Sequence, residues 1–160
     1  MTESVHEKAL SIIRSNRYMT LATSANGETW AAPLAYVLDD RFRFIWYSAT
    51  AARHSQHIKS NPNSAIAIFD STLCSNDADG VQISGIAGEI SEGELPEIME
   101  LYFKASFPDP EERAKWERPV SDFTGSAPQR FYCFQPVHSW KLDTENTSVD
   151  QRVEFQLADG

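Results

Sequence analysis

Residues 42–69, FRFIWYSATAARHSQHIKSNPNSAIAIF, constrain the fold more than any other stretch, because two different periodicities meet there at a turn. Phe42, Phe44 and Trp46 alternate with Arg43, Ile45 and Tyr47 at the period of a pleated strand. The small residues Ser48, Ala49 and Thr50 then open a helix of about two turns, and residues 64–70 read as a buried strand. At the junction stand the Ser48 hydroxyl, the orphan N–H groups of a helix N-terminus, and the Arg53 guanidinium beside His54. Such a set of donors suits a phosphate.

The flanking sequence predicts a sheet around this unit. Ser4 and Glu7 have capping-box spacing, and Val5, Ala9, Ile12 and Ile13 follow as the apolar stripe of a helix ending near Asn16. Two strands are expected over residues 18–23 and 29–38, joined by a hairpin at Asn26-Gly27. Residues 80–90 form a long strand in which Gly85 and Gly88 imply a bulge or close backbone approach. Ser91 and Glu94 repeat the capping-box spacing before a helix lined by Leu95, Ile98, Met99 and Tyr102, and a short helix starts near Pro110. After a loop over residues 117–129, closing strands run over 130–142, with a bulge or edge at Pro136, and over 148–157. Six or seven strands with three or four short helices give a mainly β fold with α inserts, a closed or nearly closed barrel.

Composition narrows the function classes. A chain of 160 residues suits one domain spanning 1–160, and 41% hydrophobic residues leave neither disorder nor a membrane span to explain. The formal net charge of −9 argues against a general nucleic-acid binder, whose affinity comes from Lys and Arg. The acidic run over residues 89–117 reads as solvated surface. The N-terminus lacks the apolar core of a secretion signal, and Cys74 and Cys133 lie far apart without CxxC partners, so a reduced cytoplasmic protein is expected. The four histidines lack the carboxylate or thiolate spacing of common metal sites, so no metal centre is expected.

Taken in order, Tyr47-Ser48, Arg53-His54, Ile58 and Asn61-Pro62 resemble the phosphate-binding segment of the pyridoxamine 5'-phosphate oxidase-like, FMN-binding split-barrel family. The resemblance implies a six- to seven-stranded antiparallel split β-barrel. It also implies a homodimer with FMN in clefts at the subunit interface, and hydride or electron transfer with a small-molecule substrate. Some relatives use deazaflavin F420 in the same cleft, and a non-enzymatic flavin- or haem-binding, stress-related protein is the other alternative. Haem would need an axial histidine, for which His54 or His57 stand nearest.

Carried over residue by residue, Ser48 and Arg53 would hold the FMN phosphate, with Tyr47 ending the strand. His54 takes a place where relatives often have lysine, and its ordinary pKa near 6.5 makes phosphate binding weaker or pH-dependent. Pro33, Leu34 and Ala35 fall in the strand whose backbone runs beside the isoalloxazine ring, and Gln82 and Trp140 would reach the cofactor from a neighbouring chain. Plainer roles stay open for the same residues: an exposed helix arginine for Arg53, a cap for Ser48, a core strand for residues 32–37, a core aromatic for Trp140, and a surface histidine for His57. Ala32 and Val37 stand where the oxidases carry basic residues, and their C-terminal Arg-Leu-His-Asp-Arg type of substrate motif is absent. A pyridoxamine phosphate oxidase proper is therefore not expected. No side chain is singled out as catalytic, since a flavin carries its own chemistry.

Overall fold

The computed structural model describes residues 2–146 and 149–158. Its elements run α1 (Val5–Ser15), β1 (Tyr18–Ala25), β2 (Glu28–Ala35), β3 (Val37–Leu38), β4 (Phe44–Ala49), α2 (Arg53–Ser60), β5 (Asn63–Phe69), β6 (Gly80–Glu89), α3 (Leu95–Ser106), α4 (Pro110–Trp116), β7 (Gln129–Leu142) and β8 (Arg152–Phe155), with short 3-10 turns at Ser75–Asp77 and Val120–Phe123. Every strand pairing is antiparallel. The sheet path is β2-β1-β5-β6-β7-β4-β3, with β8 added beside β7. Its first and last strands are consecutive lengths of one chain segment, parted only at Tyr36. The sheet therefore curls back on itself, the architecture of an antiparallel split β-barrel.

Local chemistry accounts for most of these boundaries. The capping box forms as read: Ser4 N donates to Glu7 Oε2 at 2.8 Å and Glu7 N donates to Ser4 Oγ at 3.1 Å. Asn26 and Gly27 take φ values of 51° and 80°, the left-handed pair that a two-residue hairpin between β1 and β2 requires. Gly85 sits where the register of β6 on β7 shifts, and a Cβ there would lie 2.1 Å from the Gln135 carbonyl oxygen, so the expected close approach is real. Gly88 has open space around it, and the same expectation fails there. Pro136 faces Gly85 at this bulge, in the gap on the other side of β7 between its pairing to β4 and its pairing to β8. Its missing N–H breaks no ladder there.

Four boundaries differ from the sequence reading. The strand expected over 29–38 breaks at Tyr36, whose hydroxyl donates to the Ile13 carbonyl of α1, so that β3 leaves β1 and pairs with β4. Phe42 has a left-handed φ of 58° in a turn closed by Asp39, which delays β4 to Phe44, and the strand then continues through Ser48 and Ala49. No capping box forms at Ser91: α3 begins at Leu95, and the Glu94 carboxylate instead pairs with Arg41 and Arg43. The closing strand spans only Arg152–Phe155, and Ser148 lies outside the described residues.

β4 is covered on both faces. Phe44 and Trp46 enter the barrel interior with Leu21, Ile66, Ile83 and Phe134. Ile45 and Tyr47 meet a second cluster beneath α3, with Ile98, Phe103, Phe123 and Phe131. Burial on both sides explains why this strand reads as a near-continuous apolar run.

Candidate functional site

The corner between β4 and α2 is built from side chains of β1, β2, β4 and α2. Helix α2 packs mainly on β1, and its N-cap is Ala52, which supplies no side-chain hydrogen bond to the first turn. The leading N–H groups of α2 are thus left for water or an anion. Beneath the helix, His54 Nε2 and Ser48 Oγ form a buried hydrogen bond of 2.8 Å. His57 Nδ1 and Thr23 Oγ1 form a second one of 3.0 Å, and His57 Nε2 lies 3.9 Å from Glu28 Oε2. His57 is therefore a buried histidine, correcting the surface role expected of it: Thr23, 34 residues away in sequence, supplies its partner. Burial and the neighbouring His57 hold the His54 imidazole below its ordinary pKa. In its neutral form His54 orients Ser48, and it brings no positive charge to an anion.

Arg53 is different. It is exposed, and its Cζ lies 4.5 Å from the centroid of the Trp30 ring on β2. Among the described residues no carboxylate pairs with it. A guanidinium on the first turn of an uncapped helix, with its N–H donors free, is the arrangement a phosphate needs.

The other residues read from sequence fall into separate groups. Gln82 and Trp140 face each other in register across β6 and β7 and line an outer trough of about 500 Å³ floored by Thr20, Ala22, Ala65 and Ala67. Arg152 Nε donates to Gln82 Oε1 at 2.8 Å in that trough. A second trough of about 770 Å³ shares Ala22 and Ala65 with the first and runs to Trp30 and Thr29. The two troughs meet at Ala22 and Ala65, small residues on neighbouring strands. Pro33 and Ala35 are exposed on β2, while Leu34 packs against the barrel core. Ala35 also lines a third cleft, of about 750 Å³, with Arg14, Arg17 and Tyr18. Tyr47 stands apart from Ser48, its ring packed 5.3–5.5 Å from those of Tyr102, Phe123 and Phe131. Trp30, Thr23, Glu28 and Arg152 escaped the sequence reading, because no local pattern ties any of them to residues 48–57 or 82.

Comparison with known proteins now identifies the lineage. The sequence pattern of pyridoxamine 5'-phosphate oxidase matches residues 5–129, most of the chain and the whole of the β4–α2 corner. The chain belongs to that family. No curated protein sequence matches it significantly. Among solved structures, a haem-binding protein from Mycobacterium smegmatis superposes with a TM-score of 0.72 at 18% identity, covering 96% of this chain and 59% of that one. The chain thus spans about three-fifths of that neighbour's length. An FAD-binding protein from Mesorhizobium loti gives a TM-score of 0.63 at 17% identity, covering 88% and 95% of the two chains. General Stress Protein 26 from Bacillus anthracis gives 0.63 at 16% identity, covering 94% and 98%. At these identities the three establish the split-barrel fold shared across the family. Among the described residues, no helix is long and apolar enough to cross a membrane, and no three His, Cys, Asp or Glu side chains converge to hold a metal ion.

Proposed function

We propose that the chain is an FMN-binding flavoprotein that moves hydride or electrons to or from a small substrate, as a cytoplasmic homodimer with the cofactor at the subunit interface. The observation that carries this reading is the Arg53 guanidinium, free of any described carboxylate and fixed beside the uncapped first turn of α2. Membership of the family supports it. Arg53 and the first N–H groups of α2 bind the phosphate. His54 holds Ser48 from beneath rather than adding charge. Bound FMN supplies the redox chemistry itself. The first small-residue trough admits a flat ring or a second subunit closely, and Gln82 and Trp140 stand in it with one amide and one indole to offer across an interface.

Deazaflavin F420 carries phosphate too and remains the alternative cofactor. Haem at this corner is disfavoured by a specific observation: His54 and His57 are both buried beneath α2, so neither imidazole is presented to an open face. Pyridoxamine 5'-phosphate is not the substrate this reading expects. Ala32 is buried and Val37 lies in the core cluster beneath α3, so neither position offers a charge to a second phosphate. Titration of the apoprotein with FMN, followed by quenching of flavin fluorescence, tests the reading. Saturable quenching at one FMN per chain is expected, and its absence overturns the assignment.

A further inference from the structure

We infer that Trp30 is the positioning residue for Arg53: its indole face fixes the guanidinium in the place from which it meets a phosphate. This rests on the flavin reading above and deepens it. Glu28 and Trp30 are two apart on β2 and project to the same side, while Arg53 and His57 are four apart on one face of α2. The two spacings mesh. Arg53 Cζ lies 4.5 Å from the Trp30 ring centroid, and His57 Nε2 lies 3.9 Å from Glu28 Oε2. The strand and the helix are thereby docked at two successive points, with Arg53 at the outer one.

The choice of an indole has a chemical consequence. A carboxylate would hold a guanidinium equally well, but it would occupy the in-plane N–H donors and cancel the charge. A ring face attracts the cation through its quadrupole and leaves all five donors open. An exposed arginine otherwise carries rotamer entropy that an incoming anion must overcome. Trp30 is itself 41% exposed, so this ring is not explained by burial in the core.

The test compares FMN with riboflavin, which lacks the phosphate, on Trp30→Leu, Trp30→Phe, Arg53→Ala and the Trp30→Leu/Arg53→Ala double variant. Trp30→Leu is expected to weaken FMN binding about two- to fivefold and leave riboflavin binding unchanged. Trp30→Phe restores most of the loss, and Trp30→Leu adds nothing once Arg53 is removed. Should Trp30→Leu fail to fold, Trp30→Met takes its place. Wild-type protein that binds FMN together with an unaffected Trp30→Leu variant overturns this inference alone. Equal losses for FMN and riboflavin overturn it too, by making Trp30 a general structural residue. Wild-type protein that binds neither flavin overturns the proposed function and this inference with it.

Discussion

The two ends of β4 carry arginines in opposite settings. Before the strand, Arg43 is buried and its Nε donates to Asp39 Oδ2 at 2.8 Å, while Nη1 stands 3.3 Å from Glu94 Oε2; Arg41 Nη2 closes the group at 2.6 Å from Glu94 Oε1. After the strand, Arg53 is exposed, lies on an indole, and has no carboxylate partner among the described residues. The first arginine has its charge answered within the chain and joins the β3–β4 turn to the start of α3. The second has its orientation fixed and its charge left over. What distinguishes the proposed binding arginine from the structural one is thus the chemistry of its partner, and the two ends should respond to substitution in opposite ways.

The largest effect is expected from Arg43→Ala. Removing one member of a buried pair takes the charge partner from Asp39, whose side chain is only 2% exposed and keeps only the backbone N–H groups of residues 41 and 43, and typically costs about 3 to 5 kcal/mol. Urea unfolding should show this loss, with little change in FMN affinity of the folded fraction. A loss below about 1 kcal/mol, the range of surface pairs, would erase the contrast between the two ends.

Arg53→Ala should behave in reverse. Stability should fall by no more than about 1 kcal/mol, the cost of an exposed cation–π contact with Trp30. FMN affinity should fall at least about tenfold, since a charge-assisted hydrogen bond is worth on the order of 1.5 to 3 kcal/mol. An unchanged dissociation constant measured by fluorescence quenching would remove the phosphate role.

Much of this contrast was legible in the sequence and part was not, for identifiable reasons. The strand-to-helix switch at residues 46–58 and the Asn26-Gly27 hairpin depend on neighbours within a few residues, so period and turn chemistry reveal them. The break at Tyr36 depends on a hydroxyl reaching α1, and the failed capping box at Ser91 on arginines about 50 residues earlier. Burial of His57 and the contact of Arg53 with Trp30 likewise come from tertiary pairing of α2 with β1 and β2. Lys141 gives no sequence sign of its burial or of its ion pair with Asp79 at 2.5 Å. In the candidate site, residue types and their order were readable, while the partner of each donor was not.

Acid sharpens the comparison from beneath the helix. The folded state holds His54 below its ordinary pKa, chiefly through burial and then through His57, so the unfolded chain binds that proton more readily. Stability from this group is therefore complete above the unfolded value near 6.5 and declines as pH falls below it toward the folded value. One proton limits the slope to about 1.4 kcal/mol per pH unit. Urea midpoints taken between pH 7.5 and 5.5 should drop in wild type and drop less in His54→Gln. Equal pH dependence in the two proteins would show that His54 is not the titrating group.

The smallest effect separates the two roles open to Ser48. As a phosphate ligand its hydroxyl would matter to FMN; as the partner of His54 it matters to the fold beneath α2. Ser48 Oγ is buried and 2.8 Å from His54 Nε2, so Ser48→Ala leaves a buried ring nitrogen without its partner. A cost of about 1 kcal/mol in stability follows from a neutral hydrogen bond lost in the interior. FMN affinity should change by less than about threefold, because the charge proposed to meet the phosphate belongs to Arg53, which is exposed. Unfolding curves and FMN titrations on the same preparation decide the matter. Wild-type stability with a tenfold weaker dissociation constant would return Ser48 to the phosphate and make this end of β4 a two-residue anion site.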